Sequence, residues 1–315
     1  MDTGNRFRGV TGPSAAKPFP EARPPHLPDV LTRQSPWAVV FAVMTVVEIV
    51  LAWRSWSGQF AIPQPDQIVF LADLLIPTAV VPLLGFVLFV RRPDAWRTMP
   101  LLVFGILLIS AVTLISEFDP QVYGALRGDS AESFDSPVLT AYITLKTVVR
   151  LLGVVCIGAG ISATRSEAPT AMQRPLSVGL GALAVVAGIG NPFFIDLVAA
   201  LSSGQLVPAV LTIVLTLFGG LAWAYLAATT VGGWLARESP RPAWALGAIG
   251  ISYLFAYRLF GDVSLWFGEA VFGFSQVLTY VSFAAWLLLL VAFAIGLPTP
   301  ASVGAEATRP VDVEP

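Results

Sequence analysis

Residues 138–162, VLTAYITLKTVVRLLGVVCIGAGIS, form an apolar run of helix length with two basic residues inside it. About 20 residues carry a helix across the hydrocarbon core of a bilayer, so this run is long enough to span. Lys146 and Arg150 are four residues apart and share one helical face, where Tyr142 precedes them and Gly153, Ile157 and Gly160 follow. A basic side chain near mid-bilayer costs on the order of 3 kcal/mol or more. This face must therefore meet protein or a water-filled cavity, and the rest of the chain must supply one.

The remaining sequence has the composition to do so. Of its 315 residues, 56% are hydrophobic and only 12% charged, whereas a soluble domain has about a quarter of its residues charged. The apolar residues come in blocks. They predict an all-α, polytopic integral membrane bundle with about eight transmembrane helices. The predicted spans are 37–53, 68–90, 98–117, 138–162, 177–200, 206–235, 243–260 and 272–296. Together they make one transmembrane helical domain over 36–297. Residues 1–35 hold six prolines after Met1 and five basic residues, and read as a disordered tail. Residues 298–315 read as a second disordered tail. Residues 118–137 form the longest predicted internal loop, with Asp119, Asp129, Glu132 and Asp135 against Arg127 alone.

Charge fixes the expected orientation. Basic residues gather in the N-terminal tail, in RRPDAWR (91–97), in 163–176 and in ARESPRP (236–242). Eight spans put all four segments on one side, which the positive-inside rule makes cytoplasmic, together with both termini. The chain has only two lysines, Lys17 and Lys146, among many Ala, Gly, Pro and Arg residues. That bias fits a GC-rich bacterial genome, hence a bacterial plasma membrane and a lipid-bilayer environment.

Several function classes are excluded. The only histidine, His26, lies in the proline-rich tail, so no span offers a bis-His haem site, an HExxH zinc site or a Ser–His pair. The lone Cys156 excludes an intrachain disulfide. No phosphate-cradling glycine loop and no basic, aromatic-interleaved surface for nucleic acid is present. Neither a catalytic constellation nor a metal-ligand set is expected, and no cofactor is implied.

The candidate site is a set of intramembrane charges. At about 1.5 Å per residue, Glu48, Asp73 and Asp196 lie roughly 6–8 Å from the outer ends of their spans. Lys146 lies roughly 12 Å deep and Arg150 roughly 18 Å deep. Arg258 sits near the outer interface, where snorkelling or an i, i+4 pair with Asp262 is the simpler expectation. Three acids thus face three bases in the outer half, and Lys146 and Arg150 are expected to pair with at least one of Glu48, Asp73 and Asp196. Gly188-Ile-Gly-Asn191-Pro192 invites a kink or break in the fifth span, with Asn191 and Asp196 beside it.

Two short matches hint at a parallel 4+4 internal repeat. SGQ at 57–59 recurs at 203–205, and Ala95-Trp96 recurs as Ala243-Trp244. The leading functional expectation is binding or transport of a small anionic or zwitterionic solute in a charged cavity open to the outer side. A non-catalytic scaffold or sensory partner of another membrane protein is the alternative. A lipid-modifying enzyme stands third.

Overall fold

A computed structural model describes residues 35–57, 65–127, 137–165, 172–189, 206–264 and 272–298. These residues are helical, with no strand among them. The helices in chain order are α1 (Pro36–Ser57), α2 (Pro65–Arg91), α3 (Ala95–Thr98), α4 (Pro100–Ser116), α5 (Asp119–Arg127), α6 (Pro137–Ala163), α7 (Gln173–Ile189), α8 (Leu206–Leu235), α9 (Arg241–Ser264) and α10 (Phe272–Ile295). Four described segments are long and apolar enough to cross a membrane: Pro36–Arg54, Val138–Ala163, Ile213–Leu235 and Arg241–Phe260. Shorter apolar helices run over Thr78–Arg91, Pro100–Ser116, Gln173–Ile189 and Tyr280–Ile295. By length and composition this is a membrane protein. The tails over 1–34 and 299–315 lie outside the described residues.

Helix ends follow local chemistry. The third predicted span starts later than its apolar pattern, at Pro100 rather than 98, because proline disfavours the helical region for the residue before it. Met99 accordingly sits at φ −138° and ψ 52°, between α3 and α4. The predicted loop 118–137 is corrected over its first part. Asp119–Arg127 is a helix. Its first turn carries Asp119, a favourable charge at a helix N-terminus, and Pro120, which costs no hydrogen bond there. At the other end of the bundle, α8 stops with Glu238 N–H donating to Gly233 O and Arg237 N–H to Trp234 O. Arg237 takes the left-handed φ of 59° that this termination requires. Gly296, φ 136°, ends α10 in a related way.

Six helices close into a ring in the order α2, α4, α6, α8, α9, α10 and back to α2. Outside the ring, α1 packs on α2 and touches α4, while α7 packs on α8 and touches α9. The neighbour relations of α1, α2, α4 and α6 are thus those of α7, α8, α9 and α10. Close crossings hold the ring. A Cβ on Gly105 of α4 would lie 2.6 Å from Gly153 O of α6, and one on Gly250 of α9 would lie 2.9 Å from Ala285 O of α10. One on Gly160 would lie 2.5 Å from Leu102 N. Such approach gains dispersion contacts where hydrocarbon offers no hydrophobic drive between helices.

The outer faces carry apolar side chains, among them Val43, Val46 and Val50 of α1 and Val178 and Val186 of α7. On α1 the buried residues Ala38, Phe41, Thr45, Glu48 and Ala52 recur at three- and four-residue steps, one stripe facing the bundle. The end with the basic segments is firmly tied. Arg91 of α2 donates to the carbonyls of Phe293 and Ala294 at the C-terminal end of α10. Arg165 donates to Gln173 Oε1 at 2.5 Å and Gly232 O at 3.4 Å, with Glu238 3.6 Å away. A cation at helix C-termini answers both unpaired carbonyls and the dipole.

The crossings give a direct test. Gly105→Val should lower the thermal unfolding temperature of the purified protein, at a cost of roughly 1–3 kcal/mol or more from overpacking. Gly179→Ala, where an added Cβ meets nothing within 4 Å, should be neutral or stabilising by up to about 1 kcal/mol. Equal effects of the two would refute close packing at the α4–α6 crossing.

Candidate functional site

The ring encloses a cavity of about 490 Å³ to which all six helices contribute. One level is polar. It holds Thr78 of α2, Arg150 of α6, Tyr257 and Arg258 of α9 and Ser282 of α10, with Thr113 of α4 and Thr147 of α6, whose hydroxyls donate back to Ile109 O and Ile143 O of their own helices. A turn further toward the basic end the walls become Val81, Ile109, Val154, Leu254, Trp223 and Trp286. Beyond these a narrow apolar cleft continues between Leu84, Ile106, Ile157, Ile161, Leu289 and Phe293, with Trp223 and Trp286 shared. Thr230 also lines the cleft, but its hydroxyl donates back to Leu226 O and Ala227 O. The cleft is therefore apolar in character.

Along each helix the lining residues fall at three- and four-residue steps, and similar steps occur on paired helices. On α2 and α8, Val81 and Leu84 correspond to Trp223 and Leu226. On α4 and α9, Ile106, Ile109 and Thr113 correspond to Ile251, Leu254 and Arg258. On α6 and α10, Arg150, Val154, Ile157 and Ile161 correspond to Ser282, Trp286, Leu289 and Phe293. One arginine lines the cavity from α6 and the other from α9.

Arg150 meets the expectation of an inward-facing base. Its side chain is accessible in the cavity, and it makes no hydrogen bond or ion pair with a carboxylate among the described residues. Arg258 is the second base at this level, and the Asp262 side chain expected to pair with it lies outside the described residues. Arg258 lines the same cavity, with a guanidinium nitrogen 4.0 Å from where a Cβ on Gly219 would stand. The inward register of α9, one turn beyond Leu254, directs it there.

Lys146 has a separate environment. Its ammonium pairs with Asp119 Oδ2, and both side chains are under one-fifth exposed. Tyr142 donates to Asp119 Oδ1 at 2.7 Å, and Tyr123 donates to Oδ2 at 3.4 Å. The two tyrosine rings meet edge to face, centroids 6.1 Å apart, and the ammonium lies 5.5 and 6.0 Å from their centroids. Asp119 falls in the predicted loop 118–137, two residues past the predicted span's end, and nothing in the sequence there shows that α5 folds back onto α6. The lysine therefore has a structural counter-charge, and the cavity's cations are the two arginines.

Of the three predicted acids, Glu48 is fully buried on the inner stripe of α1, outside the ring, and neither carboxyl oxygen has a hydrogen-bond partner. An unpartnered buried polar group costs about 1–3 kcal/mol, more if charged. Asp73 belongs to α2, but its side chain lies outside what is described, as do Asn191, Asp196 and the Gly190–Pro192 segment. The helix before that segment ends at Ile189. The hydroxyls, Tyr257 and the two tryptophans were missed by sequence reasoning. Their only signal is four-residue spacing, Ile109 to Thr113 and Ser282 to Trp286, which gains meaning once the inward face is known.

Asp119→Asn should destabilise the protein by roughly 1–3 kcal/mol, between the costs of breaking exposed and buried pairs. Adding Lys146→Met should recover most of that loss in a double-mutant cycle followed by thermal unfolding. Glu48→Leu should leave stability unchanged or raised, because it removes a fully buried carboxyl whose oxygens have no hydrogen-bond partner. Comparison of the chain with protein-family models, with curated proteins and with solved structures finds no match, so functional argument rests on this geometry.

Proposed function

We propose that this is an eight-span plasma-membrane protein, bacterial in origin, that binds a small anionic or zwitterionic solute in the six-helix cavity through Arg150 and Arg258. The observation that carries the reading is two guanidiniums lining one cavity, with Arg150 lacking any carboxylate partner among the described residues. Two like charges facing each other inside a bundle are costly. An anion beside Arg150 offsets that repulsion, and guanidinium forks suit carboxylate and phosphate oxygens. Intramembrane bases commonly mark solute paths, and the cavity's volume falls within the range of small-molecule sites.

The eight spans are supported by four long and four shorter apolar helices among the described residues, and by the gathering of basic segments at one end. That end would be cytoplasmic with both termini, so the polar level of the cavity would lie toward the outer side. The parallel 4+4 repeat is supported by the matched neighbour order and lining register of the two halves. Ala95, which opens the short α3 before α4, and Ala243, in the first turn of α9, are both fully buried. A structural scaffold is the second reading. It is favoured only by the Lys146–Asp119 cluster, which satisfies itself.

The full-length protein in lipid nanodiscs, titrated with acetate or inorganic phosphate, should show anion-dependent stabilisation against heat. Arg150→Gln should weaken it at least tenfold while leaving the unliganded protein equally or more stable, since it relieves like-charge repulsion. If the arginines instead belonged to a structural ion network, the same substitution would cost roughly 3–5 kcal/mol. That outcome, with no anion effect in the parent protein, would refute the reading.

A further inference from the structure

We infer that the cavity's ligand is an amphipathic organic anion, a carboxylate or phosphate head carrying an apolar body, and not an inorganic ion. This rests on the anion-binding reading above and specifies its ligand class. Size decides first. At about 30 Å³ per water molecule, about 490 Å³ holds on the order of 15 waters, several times the space a phosphate or sulfate fills. An inorganic ion at the arginines would leave most of the chamber to water held against Trp223, Trp286, Val154 and Leu254.

Polarity decides second. α2, α6, α9 and α10 place Thr78, Arg150, Tyr257 with Arg258, and Ser282 at one level, and every ring helix places apolar side chains at the next level toward the basic end. On α6 the sequence of linings is Thr147, Arg150, Val154, Ile157 and Ile161; on α10 it is Ser282, Trp286, Leu289 and Phe293. Helices of opposite direction agree: α4 and α9 read apolar to polar along the chain, through Ile106, Ile109 and Thr113, and through Ile251, Leu254 and Arg258. The chamber thus has a cationic head region continuous with an apolar tail region. Charge alone would select many anions. The adjoining wall rewards those whose remaining surface is apolar, because burying that surface releases water from both.

The test compares acetate, hexanoate and hexanol on the full-length protein in phosphatidylcholine nanodiscs, by calorimetric titration. Hexanoate should bind at least tenfold more tightly than acetate. Arg150→Gln and Arg258→Gln should each weaken hexanoate at least tenfold and leave the weak hexanol signal unchanged; two variants are used so that one that fails to fold does not decide the matter. With that result, repeating the titration in nanodiscs containing phosphatidylglycerol identifies the source: arginine-dependent competition marks a bilayer anion, and its absence a soluble one. Equal, arginine-dependent affinity for acetate and hexanoate would overturn the amphipathic ligand and leave the anion site standing. Hexanoate binding that neither variant changes would overturn both.

Discussion

A guanidinium group keeps its charge at any accessible pH and cannot be left in hydrocarbon. Arg150 and Arg258 therefore oblige the helices that carry them to turn those faces away from lipid. Six helices closing into a ring is the arrangement that satisfies this, with α1 and α7 packed outside. Closure in turn depends on backbones approaching closely, which Gly105 against Gly153 and Gly250 against Ala285 permit. The apolar residues that a soluble fold would hide are on the outside here, and the polar ones line the centre.

The two ends of the bundle solve different problems. At the basic end, Arg91 and Arg165 spend their charge on helix C-termini and on Glu238, which locks α2 to α10 and α6 to α8. The side chains between that end and the cavity are apolar and line a narrow cleft, so charge is kept out of the inner half. Toward the other end, Lys146 is neutralised by Asp119 and held among two tyrosines. Basic residues thus divide between those held by an acid or a carbonyl and Arg150, which has no carboxylate partner among the described residues.

That division was only partly legible in the sequence. Lys146 and Arg150 announced an interior face, because a four-residue spacing on a helix is unambiguous and the cost of exposing either to lipid is large. Their partners were not legible. Asp119 is separated from Lys146 by 27 positions and reaches it only because α5 turns back along α6. Arg258 looked like a residue at an interface, since counting depth from a span's end carries no information about which way α9 is rotated. Glu48 looked like a member of the charge network, and its burial on the outer helix α1 removes it from the cavity wall.

By itself the sequence determined that this chain lives in a membrane as a bundle of helices. Long apolar runs leave the backbone no other way to satisfy its hydrogen bonds, and this follows from composition and spacing alone. It also determined that at least one helix must face a polar interior. The tertiary structure decided which charges share that interior. Helix rotation and neighbour order are set by small packing differences at residues such as Gly105, Gly160 and Gly250, summed over many contacts far apart in the chain. Only when those contacts close the ring do Arg150 and Arg258, on α6 and α9, come to line one chamber.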